Sequence, residues 1–286
     1  MNAAEFHEQR RFMETSFGRI AYIEQGSGPA TLFLHGLPLC SYEWRDVIAD
    51  LAPGRRCIAI DAMGLGYTEV APGQDVSFAS QARMIAAFLD AGKIDRVDLV
   101  GNDTGGGIGQ IFAATNPSRV RTLTLTNCEV HDLWPNTLLT GFYQGVASGA
   151  VPGLMKKMLS DNALAWEQLG SLVYENARMF GRETVQVCLA PIVSSEQRVA
   201  LFQQLSNWEK NRGQLVAVAP QLRAAKMPVQ IIWGDADPVF DTAPSLDWLR
   251  ASLGSLKKVT RVPRAKLFFP EEHPRLISVM LTEFWS

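Results

Sequence analysis

The 286-residue sequence lacks the features that mark membrane proteins and nucleic-acid-binding proteins. No uninterrupted apolar run approaches the ~20 residues that a helix needs to cross a bilayer. Lys and Arg number 27 against 29 Asp and Glu, so the net charge is -2 and no basic stripe stands out. The first residues, MNAAEFHEQRRFME, carry acidic side chains and lack the apolar core of a secretory signal. We therefore expect a cytoplasmic protein without nucleic-acid or membrane partners, and self-association as a homo-oligomer is left open.

Cysteine and histidine are scarce as well, with four of each. The cysteines lie far apart without a C-x-x-C pair, which is typical of free thiols in a reducing compartment. The histidines are equally scattered, so the sequence predicts no metal site. The glycines at residues 105–109 do not fit G-x-G-x-x-G, and the lysine of a phosphate-binding loop is absent. No cofactor is therefore expected.

Strand-like and helix-like segments alternate along much of the chain. Short apolar runs rich in β-branched residues predict strands, and apolar residues at one-face spacing predict helices between them. Alternation of this kind predicts an α/β fold with a mostly parallel sheet flanked by helices. The predicted strands are residues 12–24 (two strands around the Phe17-Gly18 turn), 31–34, 56–60, 97–100, 121–126, 229–233 and 258–262.

The alternation stops after Asn127. Residues 131–215 contain helical patterns with several Met and Trp residues but no strand-like run. Strands and helices then alternate again to the end of the chain. We therefore predict one core formed by residues 1–130 and 216–286, with a helical cap formed by residues 131–215 inserted between two strands of its sheet.

A sharp strand-to-helix turn follows the strand at residues 97–100. Its sequence, GNDTG, has glycines on both sides of one central polar residue, Asp103. This is the pattern of a nucleophile elbow, in which small neighbours let strand and helix approach while the central residue is strained. Asp103 stands where the G-x-S-x-G motif has serine. The alternative is an ordinary turn whose aspartate caps the helix.

Two further polar motifs follow strands of the same predicted sheet. HGLP ends one strand, where a backbone N–H can form an oxyanion hole with the N–H of the residue after the nucleophile. Leu37 and Thr104 are the predicted donors. GDAD ends another strand, where the acid of a catalytic triad would lie. Because the carboxyl ends of parallel strands share one rim of the sheet, all three motifs are expected at a common ligand-binding edge.

Together these motifs resemble the haloalkane dehalogenase and epoxide hydrolase branch of the α/β-hydrolases. HGLP, DAMGLGYT, GNDTGG and WGDAD occur in this order, and the resemblance covers nearly the whole chain outside the cap. It implies an α/β-hydrolase fold in which Asp103 attacks an electrophilic carbon and forms an alkyl-enzyme ester, which a histidine-activated water hydrolyses. It also implies that Asp237 is the acid. Some dehalogenases carry an alternative acid at the position of Asn127, and an amide there supports Asp237.

The chain departs from that family around the substrate. Dehalogenases typically hold the halide with a Trp directly after the nucleophile and often an Asn after His-Gly, but this sequence has Thr104 and Leu37 there. Epoxide hydrolases open the ring with two cap tyrosines, for which the cap offers two candidates. The side chains expected to line the substrate pocket are His35, Trp134, Tyr143, Tyr174 and Phe240.

The largest departure is a missing base. The family carries a segment like G-H-F-x-P-E-E before the last helix, and this chain has Leu267 where that histidine belongs. Among the four histidines, His273 is the candidate base, and an exposed histidine at a helix start is the alternative. An aspartate with a reference pKa of ~3.9 is ionised at pH 7 and can attack unaided. The water that attacks the ester still needs a base, whose help contributes ~10²–10⁴-fold in rate.

Two hypotheses follow. The first is a hydrolase that acts on an alkyl halide, epoxide or ester through Asp103, with Asp237 and His273 as acid and base. The second is a catalytically impaired or non-hydrolytic protein of the same fold that binds a small molecule under its cap. Two carboxylates at the cap hinge, Glu129 and Asp132, are expected to be solvated.

Overall fold

An eight-stranded sheet forms the centre of the protein in the computed structural model, which describes residues 1–286. Its strands are β1 (Arg11–Thr15), β2 (Gly18–Gln25), β3 (Ala30–Leu34), β4 (Arg56–Ile60), β5 (Val97–Gly101), β6 (Val120–Thr126), β7 (Val229–Gly234) and β8 (Leu256–Val262). They lie side by side in the order β1-β2-β4-β3-β5-β6-β7-β8. β2 is antiparallel to both of its neighbours, and every other pair is parallel. The predicted α/β fold with a mostly parallel sheet is confirmed.

Helices cover this sheet and also form the insertion between β6 and β7. β3, β5 and β7 are buried along their whole length, which is typical of parallel strands between helical layers. The helices are α1 (Ala3–Gln9), α2 (Arg45–Leu51), α3 (Phe78–Ala91), α4 (Thr104–Thr115), α5 (Thr137–Ala147), α6 (Ala150–Met158), α7 (Asn162–Ala165), α8 (Ser171–Val173), α9 (Arg182–Thr184), α10 (Ala190–Ile192), α11 (Glu196–Leu205), α12 (Trp208–Ala217), α13 (Ala219–Ala224), α14 (Thr242–Ser252), α15 (Phe269–Glu272) and α16 (Pro274–Trp285).

The helix α1 falls in a stretch for which no sequence pattern predicts a helix or strand. It is only seven residues long, and the Asn2 side chain caps it by accepting a hydrogen bond from the Glu5 N–H. The Glu5 carboxylate accepts the Asn2 N–H in return. No helix of the structure has both the length and the apolar character needed to span a membrane. The four cysteines are free and buried, as Cys40, Cys57, Cys128 and Cys188.

The insertion between β6 and β7 is helical throughout, from α5 to α13. Its last part returns to the core, because the side-chain oxygens of Asn211 and Gln214 in α12 accept the backbone N–H groups of Phe78 and Ala79 at the start of α3. The predicted end of the cap at residue 215 therefore falls inside a helix that already packs on the core.

The segment before the last helix ties the cap to the core. Glu271 is fully buried, and its carboxylate accepts hydrogen bonds from Arg45 of the core (2.5 Å) and from Tyr174 and Thr184 of the cap. Glu272 accepts the backbone N–H groups of Glu175 and Asn176 at 2.9 and 2.8 Å. Both carboxylates of the P-E-E motif thus hold the cap in place.

Gly105, in the first turn of α4, packs against the end of β3. A Cβ atom at this position would overlap the carbonyl oxygen of Leu34 and lie 2.7 Å from that of His35. Because both neighbours are backbone atoms, the strand or the helix would have to move. We therefore expect Gly105→Ala to lower the free energy of unfolding by about 2 kcal/mol or more, measured by urea denaturation.

Gly153 provides the matched control, because it also lies in a helix but has open space where a Cβ would go. Gly153→Ala should raise the free energy of unfolding by about 0.5–1 kcal/mol, since alanine loses less backbone entropy than glycine on folding. Equal effects of the two substitutions would contradict the close approach at Gly105.

Candidate active site

Asp103 lies at the tip of the turn between β5 and α4. Its φ of 51° and ψ of -130° are strained for a residue with a Cβ, and its N–H donates to the Asn127 carbonyl oxygen at 2.7 Å. The residue is 5% exposed. Its carboxylate accepts no capping hydrogen bond from α4, so the alternative of a helix-capping aspartate does not fit the structure.

The turn after β3 supplies a hydrogen-bond donor to this carboxylate. The Leu37 N–H donates to Asp103 Oδ2 at 2.8 Å. The neighbouring Gly36 leaves room for the contact, because a Cβ there would lie 2.8 Å from the same oxygen. The other predicted donor, the backbone N–H of Thr104, makes no hydrogen bond with the carboxylate. The structure thus brings the Leu37 N–H to the carboxylate but not the Thr104 N–H, and the oxyanion-hole role of both stays a prediction.

A buried carboxylate that the sequence analysis missed, Glu43, joins the two turns. Its Oε2 accepts the Gly36 N–H and its Oε1 accepts the Asn102 side-chain amide, both at 2.8 Å. Asn102 in turn accepts the Thr126 hydroxyl at 2.5 Å. Burial raises the pKa of Glu43 to about 8, although these two donors oppose the shift. The only sequence signal was a charged residue between aromatic residues in Ser41–Trp44, a pattern that did not reveal its partners.

Asp237 lies after β7 and is held by donors other than histidine. Its Oδ2 accepts the Asn127 side-chain amide at 2.7 Å, and its Oδ1 accepts the Val239 N–H at 2.9 Å. Burial raises the pKa of Asp237 to about 6, against the lowering effect of these hydrogen bonds. Asn127 therefore links the backbone of Asp103 to the carboxylate of Asp237. No histidine ring forms a hydrogen bond with Asp237.

None of the four histidines reaches Asp103 or Asp237. His273 is half-buried between α15 and α16, and its backbone N–H and carbonyl oxygen form hydrogen bonds of these two helices. The role of base predicted for it therefore does not fit its position.

The other three histidines have different surroundings. His35 is buried in the turn after β3, where its ring forms hydrogen bonds with the backbone of Gly36 and Ala62, and burial lowers its pKa. His131 stacks on Trp248, and His7 packs beside Tyr67.

A cavity of about 60 Å³ lies between the Asp103 turn and the cap. Asp103 contributes the one carboxyl group on its wall, and Thr104 and Tyr143 contribute the hydroxyl groups. Leu267, in the position expected for the base, lies on the same wall. The lining residues are Leu37, Pro38, Asp103, Thr104, Leu138, Leu139, Phe142, Tyr143, Leu169, Leu172, Val173, Val239, Leu267 and Phe268.

Of the side chains expected to line the pocket, Tyr143 does and four do not. Trp134 stacks on Phe78 and donates its indole N–H to the His131 carbonyl oxygen. Tyr174 is turned away because its hydroxyl donates to Glu271. Phe240 is buried one residue beyond the cavity wall, and His35 lies behind it in the turn. Helical spacing marks such residues as buried but does not tell which surface buries them.

Glu129 is buried rather than solvated, which corrects the expectation from the sequence. After β6 the chain passes over the start of α4, where the Thr104 hydroxyl donates to Glu129 Oε1 at 3.1 Å and Gln110 donates to the Glu129 carbonyl oxygen at 2.7 Å. Burial raises the pKa of Glu129 to about 7. The side chain of Asp132, three residues on, is 60% exposed, in agreement with the expectation.

The charge of Glu129 also acts on the elbow. Burial raises the pKa of Asp103 well above its ordinary value, and the negative charge of Glu129 adds to the shift, while the Leu37 N–H opposes it. The simple expectation of a freely ionised aspartate therefore needs correction. Asp103 and Glu129 compete for charge in one buried space.

Comparison with known proteins decides the family. A family model described as alpha/beta hydrolase fold matches residues 29–272, most of the chain. The chain belongs to the α/β-hydrolase fold family. The strand order, the elbow and the acid after β7 agree with this membership, and the predicted resemblance is confirmed at this level.

This α/β-hydrolase has relatives that match along most of its length. Haloalkane dehalogenase 2 of Mycobacterium tuberculosis is 28% identical over 277 residues, which cover 96% of this chain and 94% of the relative. Cis-3-alkyl-4-alkyloxetan-2-one decarboxylase of Shewanella oneidensis is 26% identical over 249 residues, or 84% and 77% of the two chains. The α/β-hydrolase thus lies in the haloalkane dehalogenase-like branch.

Solved structures agree in fold. The epoxide hydrolase CorEH superposes with a TM-score of 0.78 at 21% sequence identity, covering 96% of this chain and 98% of CorEH. At that identity the likeness is one of fold alone. It extends over the α/β-hydrolase core and the inserted helices together.

The raised pKa of Glu43 predicts how stability depends on pH. The folded protein binds this proton more tightly than the unfolded chain, so the stabilisation is complete below about pH 4.5 and is lost as pH rises through about 8. Between pH 5.5 and 8.5 the free energy of unfolding should therefore fall more steeply in the wild type than in Glu43→Gln, by about 1 kcal/mol or more.

The measurement is urea denaturation at several pH values, and the slope against pH is compared rather than the absolute stability. Glu209→Gln, which removes a carboxylate from the exposed side of α12, should follow the wild-type slope. A Glu43→Gln slope equal to that of the wild type would contradict the raised pKa of Glu43.

Proposed function

We propose that this protein hydrolyses a small apolar electrophile through a covalent ester on Asp103. A carboxylate oxygen attacks an electrophilic carbon, and the carbon–halogen bond of an alkyl halide or a carbon–oxygen bond of an epoxide or ester breaks. Water then attacks the carbonyl carbon of the enzyme ester, the alcohol leaves, and the carboxylate is restored. The observation that carries the proposal is a single carboxyl group, that of Asp103, on an otherwise largely apolar cavity wall.

The cavity supports a small and apolar substrate. Eleven of the fourteen residues that line it are hydrophobic, so a charged or strongly polar ligand would lose hydration without compensation. Its volume of about 60 Å³ is well below the ~300–1,000 Å³ of common ligand pockets. The cap therefore has to move before a ligand of more than a few heavy atoms can enter the cavity.

The hydroxyl groups on the wall favour an oxygen leaving group over a halide. No indole or side-chain amide N–H is available beside Asp103 to stabilise a departing halide ion. Tyr143 lies on the cavity wall, and the negative charges of Glu129 and Asp103 add to burial in raising its pKa. Such a phenol stays protonated at neutral pH and can donate to the oxygen of an opening epoxide or lactone ring. Among the three substrate classes, we favour strained oxygen rings.

The names of the relatives support an electrophilic substrate, although the second relative is named a decarboxylase and not a hydrolase. One is named for its action on haloalkanes and another for its action on an oxetan-2-one, a strained cyclic ester. Each compound offers an electrophilic carbon with a leaving group. A shared aspartate mechanism would account for both within one cap-and-core architecture.

A second candidate is favoured by one observation, the presence of Leu267 on the cavity wall in place of a base. In this version the protein binds a small molecule or forms the Asp103 ester but does not complete its hydrolysis. Intact-protein mass spectrometry separates the two candidates, because turnover releases a diol or alcohol whereas a stalled reaction leaves the protein heavier by the alkyl group.

We expect exposure to three- and four-carbon epoxides and alkyl bromides to give product or a covalent adduct on one carboxylate. Asp103→Ala should abolish both, because it removes the attacking oxygen. Since that variant also removes a buried carboxylate, its thermal midpoint should not fall, which distinguishes lost chemistry from lost folding. Unchanged reactivity of Asp103→Ala would refute the proposed nucleophile.

Tyr143→Phe tests the preference among substrates. Loss of the phenol should slow epoxide opening by about 100-fold, because general-acid assistance contributes roughly that much. Attack on an alkyl bromide should change much less, since bromide needs no proton to leave. The comparison uses initial rates of adduct or product formation with both substrates, and equal slowing of the two would contradict a donor role for Tyr143.

A further inference from the structure

A polar atom without a partner lies behind the wall of the cavity. Glu129 is 0% exposed, and while its Oε1 accepts the Thr104 hydroxyl, its Oε2 has no partner with hydrogen-bond geometry. The backbone N–H groups of Gly107 and of Glu129 itself are close enough to lower the pKa of the carboxyl. Oε2 lies beside Gly107, where a Cβ would come within 3.1 Å of it. Buried polar atoms are rarely left unpaired, so a carboxylate kept in this state calls for a reason beyond packing.

The surroundings of Glu129 connect it to the reacting carboxylate. Thr104 follows Asp103 in the chain and lies on the cavity wall, and its hydroxyl donates a hydrogen bond to Glu129 Oε1. The titratable groups whose pKa values respond to the charge of Glu129 are Asp103 of the elbow, Tyr143 of α5 and the adjoining Cys128. No Lys or Arg contributes to these shifts, so the negative charges around the cavity are not neutralised by a cation.

We propose that Glu129, acting through the hydroxyl of Thr104, accepts the proton of the water that hydrolyses the Asp103 ester, in place of the absent histidine. This inference rests on the proposed ester chemistry. It assigns a positioning and proton-accepting role to a residue outside Asp103, Asp237 and His273, the catalytic residues that the sequence predicts.

The two carboxyls exchange charge through the cycle. Burial raises the pKa of both, and the negative charge of Glu129 raises that of Asp103 further, so the free pair shares a proton. Asp103 attacks from the state in which it is ionised and Glu129 carries that proton. Alkylation converts Asp103 into a neutral ester, so Glu129 is then the only one of the two that can ionise, and it releases its proton to solvent. With its pKa raised to about 7 by burial, Glu129 can exist in either form near neutral pH.

The hydrolytic step then balances. Water adds its oxygen to the ester carbonyl carbon and passes a proton to Thr104 Oγ1, while the Thr104 hydroxyl proton moves to Glu129 Oε1. The tetrahedral adduct expels the alcohol oxygen, which takes the second water proton, and Asp103 returns as a carboxylate. The free protein is restored with Glu129 protonated, and the net reaction consumes one water per substrate.

The test follows the ester directly by rapid mixing, acid quenching and intact-protein mass spectrometry with a small epoxide or alkyl bromide. Glu129→Gln keeps the shape of the side chain and an oxygen that can accept the Thr104 hydroxyl. We expect the ester to form at a rate within a few-fold of the wild-type rate and to decay about 100-fold more slowly. Thr104→Val should slow decay similarly, and Thr104→Ser should restore it.

The pH profile separates proton acceptance from a structural role. Ester decay in the wild type should rise with pH to a plateau as Glu129 ionises, whereas decay in Glu129→Gln should keep rising in proportion to hydroxide concentration. Asp132→Asn, which alters an exposed carboxylate three residues away, is the control and should leave formation and decay unchanged. Thermal midpoints of all variants show whether each one is folded.

The outcomes are distinct. An ester that forms in the wild type and decays equally fast in Glu129→Gln overturns the assignment of Glu129 while the ester chemistry stands. A wild-type ester that never decays also overturns it, because no group then acts as base. Absence of ester and product with every substrate would overturn the proposed function and this inference together.

Discussion

The burial of several carboxyl groups without a cation governs the site. Asp103, Glu129, Glu43 and Asp237 lie behind or around one small cavity, and burial is the largest cause of the raised pKa in each. Hydrogen-bond donors stabilise the ionised forms and oppose these pKa shifts, among them the Leu37 N–H and the Asn127 side-chain amide. Because the donors are few, the four groups cannot all be ionised cheaply, and protons must be shared among them. Protonation and reactivity at Asp103 are therefore linked.

The sequence motifs located the rim of the sheet correctly because each motif consists of only a few consecutive residues. A strand followed by a tight glycine-flanked turn specifies the elbow around Asp103, and the turn after β3 brings Leu37 to it. Glu43 and Glu129 were beyond this kind of inference. Their environments are set by contacts with residues 59 and 25 positions away, namely Asn102 and Thr104, which no periodicity encodes. The same limit applies to the cap, where spacing predicted burial but not which surface each aromatic residue would face.

The segment that precedes the last helix combines two duties. Leu267 and Phe268 form part of the cavity wall, while Glu271 and Glu272 bind the cap a few residues later. A change at position 267 can therefore alter the chemistry of the wall without releasing the cap. Conversely, any opening that admits a substrate must disturb hydrogen bonds around Glu271 and Glu272 or bend the helices they hold. The leucine on the cavity wall and the cap attachments are therefore separable features of the same short stretch.

The unpaired oxygen of Glu129 gives the strongest reason to regard the site as functional rather than degenerate. A glutamate buried only for packing would be replaced at little cost by glutamine or leucine, because desolvation of a carboxylate is expensive. Drift away from activity would favour such replacements, since buried charges at active sites lower stability. Leu267 lines the cavity where the family resemblance predicts a histidine, yet Asp103, Glu129 and the Thr104 hydroxyl between them are all present. A group of residues that is costly for folding and arranged around one buried carboxyl of a strained turn is better explained by chemistry than by inheritance of a fold.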